Sequence, residues 1–280
     1  MKKELNWGTH THVMGIINLT PDSFSGDGLG KDDLVIDRAL PQAKQMLSDG
    51  AEMLDLGAES SRPGAGLVNA SEEIERLFPV LKAIREAEKE IILSVDTYKS
   101  IVAEEALKAG ADWVNDIWGL RFDPKMAEVV QRYGAGVILM HNGRELGETS
   151  NERKRAKPRD TVQWVMEGLK ESIEIAKQAG IKDDDIILDA GIGFGKSVEE
   201  NLELVNRLGE FKSMGYPLLI GPSRKSFIGA TLDLPVEQRL EGTAAAVAIS
   251  IARGADIIRV HDVREMSRVA KMCDAILAKR

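Results

Sequence analysis

One cysteine, Cys273, stands in a chain of 280 residues. A disulfide framework within the chain is therefore excluded, and no zinc site can be built on thiolates. Long apolar runs are missing too. The longest, Ala244 to Ala252, reaches about half of the roughly 20 residues that a membrane-spanning helix needs. Met1-Lys2-Lys3-Glu4 leads into no apolar stretch of the secretory type. Positive charge is in deficit: the formal net charge of −8 argues against general nucleic-acid binding. It does not oppose an anionic substrate, because a local cluster of arginines can reverse the field inside one cleft. The basic run Arg153 to Arg159 reads as a solvated loop without a dedicated partner. Histidine is scarce, with four residues that show no metal-ligand spacing, so no structural zinc site is expected and His10 and His12 receive no role. These features together suit a cytoplasmic enzyme.

Two nucleotide-binding motifs are absent as well. Gly191-Ile192-Gly193-Phe194-Gly195-Lys196 has the spacing G-x-G-x-G, which is not the dinucleotide fingerprint, and it comes late in the chain. A phosphate-binding P-loop would need a glycine at Asp189 or Ala190.

What is present is one arrangement repeated along the chain: a short apolar strand, a polar residue at its end, a turn and a helix. Ile186 to Leu188 ends at Asp189 and turns through three glycines toward a helix from Glu199 to Leu208. Val13 to Ile17 ends at Asn18, and Ile91 to Val95 ends at Asp96. Trp113-Val114 leads to Asn115-Asp116, and Gly136 to Met140 leads to His141. Met53 to Leu56 precedes a loop with Arg62, Pro217 to Ile220 precedes Ser223-Arg224-Lys225-Ser226, and Ile257-Ile258 reaches Arg259 and His261. Eight such units with strands apolar on both faces predict a (β/α)₈ TIM barrel as a single domain over residues 1–280, with the active site at the C-terminal ends of the strands.

In such a barrel the strand ends meet at one mouth, and the polar residues divide by chemistry. Asp96, Asn115 and Asp189 can accept from, or match, the N–H edges of a flat heterocycle. Arg62, Arg259 and His261 suit an oligophosphate, and Arg259 and His261 alternate along one strand and so face one side. Ser226 opens a helix and adds backbone donors, while Lys225 could serve either group. Asp189 could instead be an ordinary helix cap, and His141 reads mainly as a structural histidine. A magnesium ion carried by a diphosphate, with Asn18 as protein ligand, fits the preference of that ion for oxygen.

Met14-Gly15-Ile16-Ile17-Asn18-Leu19-Thr20-Pro21-Asp22-Ser23-Phe24-Ser25 closely resembles the opening signature of dihydropteroate synthases. Gly57 to Gly64, Ser94-Val95-Asp96-Thr97, Asn115-Asp116-Ile117, Gly191 to Lys196, Ser223 to Ser226 and Arg259-Val260-His261-Asp262 follow in the same order as that family's motifs. The resemblance covers nearly the whole chain. It implies a (β/α)₈ barrel, usually a homodimer, that condenses 6-hydroxymethyl-7,8-dihydropterin diphosphate with p-aminobenzoate in folate synthesis. It further implies that Asp96, Asn115, Asp189 and Lys225 hold the pterin, and that Arg62, Arg259 and His261 hold the diphosphate with Asn18 and Mg2+. Ser61, Phe24, Pro63, Phe194 and Ser226 would form the p-aminobenzoate site.

Three departures from the family pattern stand out. Ser61 replaces the usual threonine, Ala190 replaces a usual proline, and Gly26-Asp27-Gly28 is rearranged. A hairpin closing the barrel bottom is expected to be reduced. The reaction expected is a dissociative one: diphosphate leaves first, Asp96 steadies the pterin cation, and Arg62 and Lys225 join it in the catalytic group. A methyltetrahydrofolate:corrinoid methyltransferase shares the barrel but has no use for Arg62, Arg259 and His261. A catalytically silent pterin-binding protein would keep Asp96, Asn115 and Asp189 and lose Asn18 or the arginines.

Overall fold

The computed structural model describes residues 5–20, 31–60, 68–144 and 160–278, with side chains from residue 35 in the first helix. Eight parallel strands, β1 (His12–Asn18), β2 (Met53–Gly57), β3 (Ile92–Asp96), β4 (Trp113–Asp116), β5 (Gly136–Met140), β6 (Ile186–Asp189), β7 (Leu218–Ile220) and β8 (Ile257–Val260), run in sequence order and close, β8 pairing with β1. The helices between them are α1 (Lys31–Ser48), α2 (Ala70–Ala87), α3 (Ser100–Lys108), α4 (Met126–Tyr133), α5 (Thr161–Gln178), α6 (Val198–Asn206), α7 (Ser226–Leu232) and α8 (Leu240–Ala252), followed by α9 (Val263–Leu277). The expected barrel is therefore the observed one. The helix expected to open at Ser226 is α7, which lasts only seven residues and ends at Leu232. A 3₁₀ turn at Val236–Gln238 leads into α8.

Strand side chains alternate between two cores, as a closed pleated sheet requires. Leu54, Leu56, Leu93, Val95, Leu139 and Leu188 point outward and join the helices in the larger cluster. Met14, Met53, Ile92, Trp113, Ile138, Ile187, Leu219 and Ile257 point inward and form a separate apolar plug at the N-terminal half of the barrel. Leu5 and Trp7 pack against this plug from below and close that end. Trp113 lies opposite Gly136 in the register, and a Cβ on Gly136 would stand 2.3 Å from the indole ring. The glycine is what lets the largest inward side chain lie flat across its neighbouring strand.

Above the plug the inward positions become polar: Asp55 on β2, Ser94 and Asp96 on β3, Asn115 on β4, Asp189 on β6 and Arg259 on β8. The change of polarity along each strand divides a dry base, which holds the barrel together, from a chemically equipped mouth. Among the described residues, no helix is long and apolar enough to cross a membrane.

Candidate active site

A hydrogen-bonded chain crosses the mouth of the barrel. Arg259 donates from Nε to Oδ2 of Asp55 at 2.6 Å and from Nη2 to Oδ2 of Asp96 at 2.8 Å. Asn115 donates from Nδ2 to the same Asp55 oxygen at 2.9 Å. Asp55 is fully buried, and its other oxygen, Oδ1, has no hydrogen-bond partner. The two chemical groups expected from the sequence are thus joined: Arg259, assigned to an anion, is tied to Asp96 and, through Asp55, to Asn115. Burial pushes the Asp96 carboxyl up despite the nearby guanidinium, and the neighbouring Asp55 adds to the shift.

Asp189 ends β6, buried, and its Oδ1 accepts from the backbone N–H of Gly191 at 2.7 Å. It does not cap the helix that follows. That task falls to Ser197, which forms a capping box with Glu200 at the start of α6. Burial raises the Asp189 pKa, the Gly191 N–H and Lys225 opposing it. The turn after Asp189 is drawn together by Lys196, whose buried ammonium donates to the carbonyls of His141 (3.0 Å), Gly191 (2.8 Å) and Phe194 (3.1 Å). Lys196 is therefore a structural clamp on the glycine-rich turn, the role a P-loop lysine would not have. His141 is packed edge-on against Trp164, with centroids 4.5 Å apart, as a structural histidine would be.

Lys225 reaches the same cleft from the loop after β7. Its Nζ lies 4.1 Å from the centre of the Phe194 ring. Gly193, at φ +83°, passes close beneath; a Cβ there would be 3.0 Å from the Lys225 Cδ, so the backbone can adopt this turn beside the lysine only without a side chain. Burial and the positive charge of Arg259 lower the Lys225 pKa to about 8, while Asp189 and Asp96 hold it up. Phe194 also belongs to an apolar cluster with Ile117, Trp118 and Met140, which gives the polar mouth one greasy wall.

His261 follows β8 and hydrogen-bonds through Nδ1 to the Ser223 hydroxyl at 3.0 Å, while its backbone N–H donates to the same hydroxyl at 3.2 Å. Burial, with the cations Arg259, Arg224 and Lys225 nearby, lowers the His261 pKa to about 3. The ring is neutral near pH 7, and if Ser223 donates to Nδ1 the proton sits on Nε2 as a donor for an incoming anion. Arg224 adopts a left-handed conformation at φ +58° and turns its guanidinium away onto Asp262, with Nε 3.0 Å from Oδ2. That turn is what points Ser223 and Lys225 inward on either side of it. Ser226 is exposed at the first position of α7, and Asn18 is the last residue of β1, beside β8.

Phe24, Ser61, Arg62 and Pro63 lie outside the described residues, as do Gly26-Asp27-Gly28 and the basic run from Arg153 to Arg159. The base of the loop that carries Arg62 is nevertheless defined. Glu59 Oε1 accepts from the Val68 N–H at 3.2 Å and from the Tyr98 hydroxyl at 3.1 Å, and its Oε2 pairs with Lys99, which also pairs with Glu73. Arg76 donates to the carbonyl of Ala58 at 3.2 Å. Glu59 and Val68, on either side of the loop, are therefore held together.

Asp55, Ser223 and Glu59 are participants that the sequence reading leaves out. The signal for Asp55 was available: an acid in the middle of an apolar strand, two residues from Met53 on the inward-facing repeat. Ser223 and Glu59 stand within the quoted motifs, but their roles become visible only through their partners.

These features define a (β/α)₈ barrel with a small-molecule site at the C-terminal ends of its strands. Residues 14–261 match the family described as pterin binding enzyme. A dihydropteroate synthase of Clostridium beijerinckii is 49% identical over 99% of this chain and 98% of its own. The solved structure of a dihydropteroate synthase from Clostridium difficile, in the presence of pteroic acid, superposes with a TM-score of 0.89 at 46% identity, covering 97% of this chain and 98% of that one. A dihydropteroate synthase from Xanthomonas albilineans with 4-aminobenzoic acid gives 0.87 at 36% identity, over 96% of this chain and 94% of that one. The chain belongs to the dihydropteroate synthase family of pterin-binding transferases.

Proposed function

We propose that this chain condenses 6-hydroxymethyl-7,8-dihydropterin diphosphate with p-aminobenzoate, releasing diphosphate and forming 7,8-dihydropteroate for folate synthesis. The observation that carries the reading is the buried chain from Asp96 through Arg259 and Asp55 to Asn115, flanked by Asp189, Lys225 and His261 at one barrel mouth. Its acceptors and donors suit the pterin edge, the apolar wall of Ile117, Met140 and Phe194 suits the pterin face, and Arg259 and His261 suit the diphosphate. The relatives solved with pteroic acid and with 4-aminobenzoic acid support the same pair of substrates.

In this reading Asp96, Asn115, Asp189 and Lys225 orient the pterin. The bond from the pterin methylene carbon to the diphosphate oxygen breaks first, its electron pair going to the oxygen. Asp96 stabilises the cation left on the methylene, and Arg259, His261 and Arg62 take up the charge on the departing diphosphate. Ser61, Phe24, Pro63, Phe194 and Ser226 seat the arylamine, whose nitrogen attacks the cation and then gives up a proton. Exclusion of water from the site keeps the cation from being captured before the arylamine attacks.

A magnesium ion fits as a passenger of the diphosphate. Asn18 offers one amide oxygen at the rim, next to the strand that bears Arg259 and leads to His261, and a single neutral ligand suits an ion that keeps its phosphate and water ligands. When bound there it would neutralise charge on the leaving group.

We also read the chain as a cytoplasmic homodimer. Cys273 is free, which suits a reducing compartment. Exposed Ile249 on α8, with Met272 and Ile276 on the adjacent α9, offers an apolar face for a second copy. Light scattering of the purified protein checks the dimer, and a monomer mass at working concentration would refute it.

The test of the function is diphosphate release from dihydropterin-methyl diphosphate with magnesium, with and without p-aminobenzoate. Release that depends on the arylamine and yields dihydropteroate supports the reading. Pterin binding without release would move the assignment to a silent binder or a methyltransferase.

A further inference from the structure

At the end of the barrel away from this mouth, three side chains converge that the reaction does not use. His10 Nε2 lies 2.9 Å from Glu52 Oε1 and 3.1 Å from Oε2, and His12 Nδ1 lies 2.8 Å from Oε2. We propose that His10, His12 and Glu52 bind one zinc(II) ion, which clips the N-terminal segment to the start of β2.

The ligand chemistry fits. Two imidazoles and a carboxylate form a borderline donor set suited to zinc, with a water completing a tetrahedron. One ligand atom from each residue can be chosen so that all lie within 4.8 Å of one another. Zinc bonds of about 2.0–2.1 Å place tetrahedral ligand atoms roughly 3.3 Å apart, so the carboxylate must draw back slightly from both imidazoles, a movement open to the exposed Glu52 and His10 side chains. Those two side chains are 45% and 39% exposed and leave a path from solvent, whereas His12 is nearly buried at 3%.

The geometry is held before any ion arrives. His12 turns its other ring nitrogen, Nε2, toward the Asn6 carbonyl at 3.3 Å, and His10 turns Nδ1 toward the Thr9 hydroxyl at 2.9 Å. An outer hydrogen bond on the far nitrogen is how protein imidazoles are oriented toward a metal. Between the two histidines, Thr11 is clamped to Asp274 of α9 through its N–H (2.9 Å) and its hydroxyl (2.7 Å). The Glu52 N–H donates to the Val13 carbonyl at 2.9 Å, which fixes the acid beside the start of β1. Trp7 packs edge-on against His12 with centroids 5.5 Å apart, and Trp7 in turn covers the apolar plug. Zinc here would tie the cover of the barrel base to the barrel. Histidine spacing alone does not reveal the set, because the third ligand comes 40 residues after His12.

The competing arrangement is an imidazolium–carboxylate pair that binds no metal. Zinc(II) is titrated into tag-free, chelator-stripped protein against a chromophoric competitor, alongside His10→Ala, Glu52→Gln and, as a control at the far end, His261→Asn. The proposal expects one equivalent of zinc, bound about tenfold or more weaker in each of the first two variants and unchanged in the control. It also expects X-ray absorption to show two imidazole ligands and the melting temperature of the wild type to rise with zinc. His10 is exposed, so His10→Ala keeps the fold, which circular dichroism verifies. No stoichiometric binding, or binding indifferent to both substitutions, overturns the proposal.

Discussion

Arg259 and Asp55 are paired inside the barrel, Nε to Oδ2 at 2.6 Å, on strands that lie on either side of β1. The guanidinium is thereby aimed with its remaining edge toward Asp96 and the mouth. Asp55 is fully buried, and its Oδ2 sets the position of both Arg259 and Asn115.

Asp55→Ala should therefore destabilise the protein by about 3–5 kcal/mol, the usual effect of removing one partner from a buried ion pair. Urea unfolding measures this. Asp55→Asn keeps the volume and should retain the fold better, while weakening pterin binding because Arg259 loses its anionic anchor. Titration of the Asp96 carboxyl should shift downward in the Asn variant, since a like charge beside it is gone. Unchanged pterin affinity in Asp55→Asn would show that Arg259 is held well enough by Asp96 alone.

Ser223 and His261 give a second test. The hydroxyl meets both the ring and the backbone N–H of His261, so Ser223→Ala releases the residue at two points, one of them on the ring. Loss of a hydrogen bond worth about 1–1.5 kcal/mol predicts roughly a tenfold fall in kcat/KM for the diphosphate substrate. Ser223→Thr keeps the hydroxyl and should recover most of it. The ¹⁵N shifts of the imidazole provide the readout that a merely structural role would not move: the tautomer balance of the ring should change in Ser223→Ala.

The outline of the barrel was legible because its signal is repeated. Eight apolar strands with a polar residue near the end of each admit few architectures, and Asp96, Asn115, Asp189, Lys225, Arg259 and His261 meet where strand ends must meet. What stayed hidden depends on pairings between distant segments. Arg259 is written in the chain as an anion binder, but its hydrogen bonds to Asp55 and Asp96, 204 and 163 residues away, tie it to the acids of the mouth. Lys196 looks like the lysine of a phosphate loop, and only the three carbonyls around it show a clamp. Asp189 resembles a helix cap, but Ser197 has that position.

The stability of the free protein should carry the mark of His261. Its pKa in the folded chain is lowered to about 3 from 6.5. Between those values the unfolded chain binds a proton that the folded chain does not, so this residue makes stability rise with pH from about 3 to 6.5 and fall as pH drops through that window. The raised pKa values of Asp96 and Asp189 act in the opposite sense above the ordinary aspartate range. The difference between wild type and His261→Asn isolates the histidine. Unfolding measured at pH 5 and pH 6 should show a wild-type slope steeper than the variant's by up to about 1.4 kcal/mol per pH unit.

Lys225 predicts the basic side of the activity profile. Burial and Arg259 bring its pKa down to about 8, within reach of ordinary assay conditions. Below that value the ammonium is present for the pterin and stands between Asp96 and Asp189; above it the charge is lost. The kcat/KM for the dihydropterin substrate, which reports the free enzyme, should therefore fall as pH rises through about 8. Lys225→Gln should lower the plateau and remove that limb together. Lys225→Arg, which keeps its charge at every accessible pH, should flatten the limb while losing affinity, because the larger guanidinium must fit above Phe194 and beside Gly193 where the amine now lies. A basic limb that survives unchanged in Lys225→Arg would assign the titration to a substrate group and leave Lys225 a positional role only.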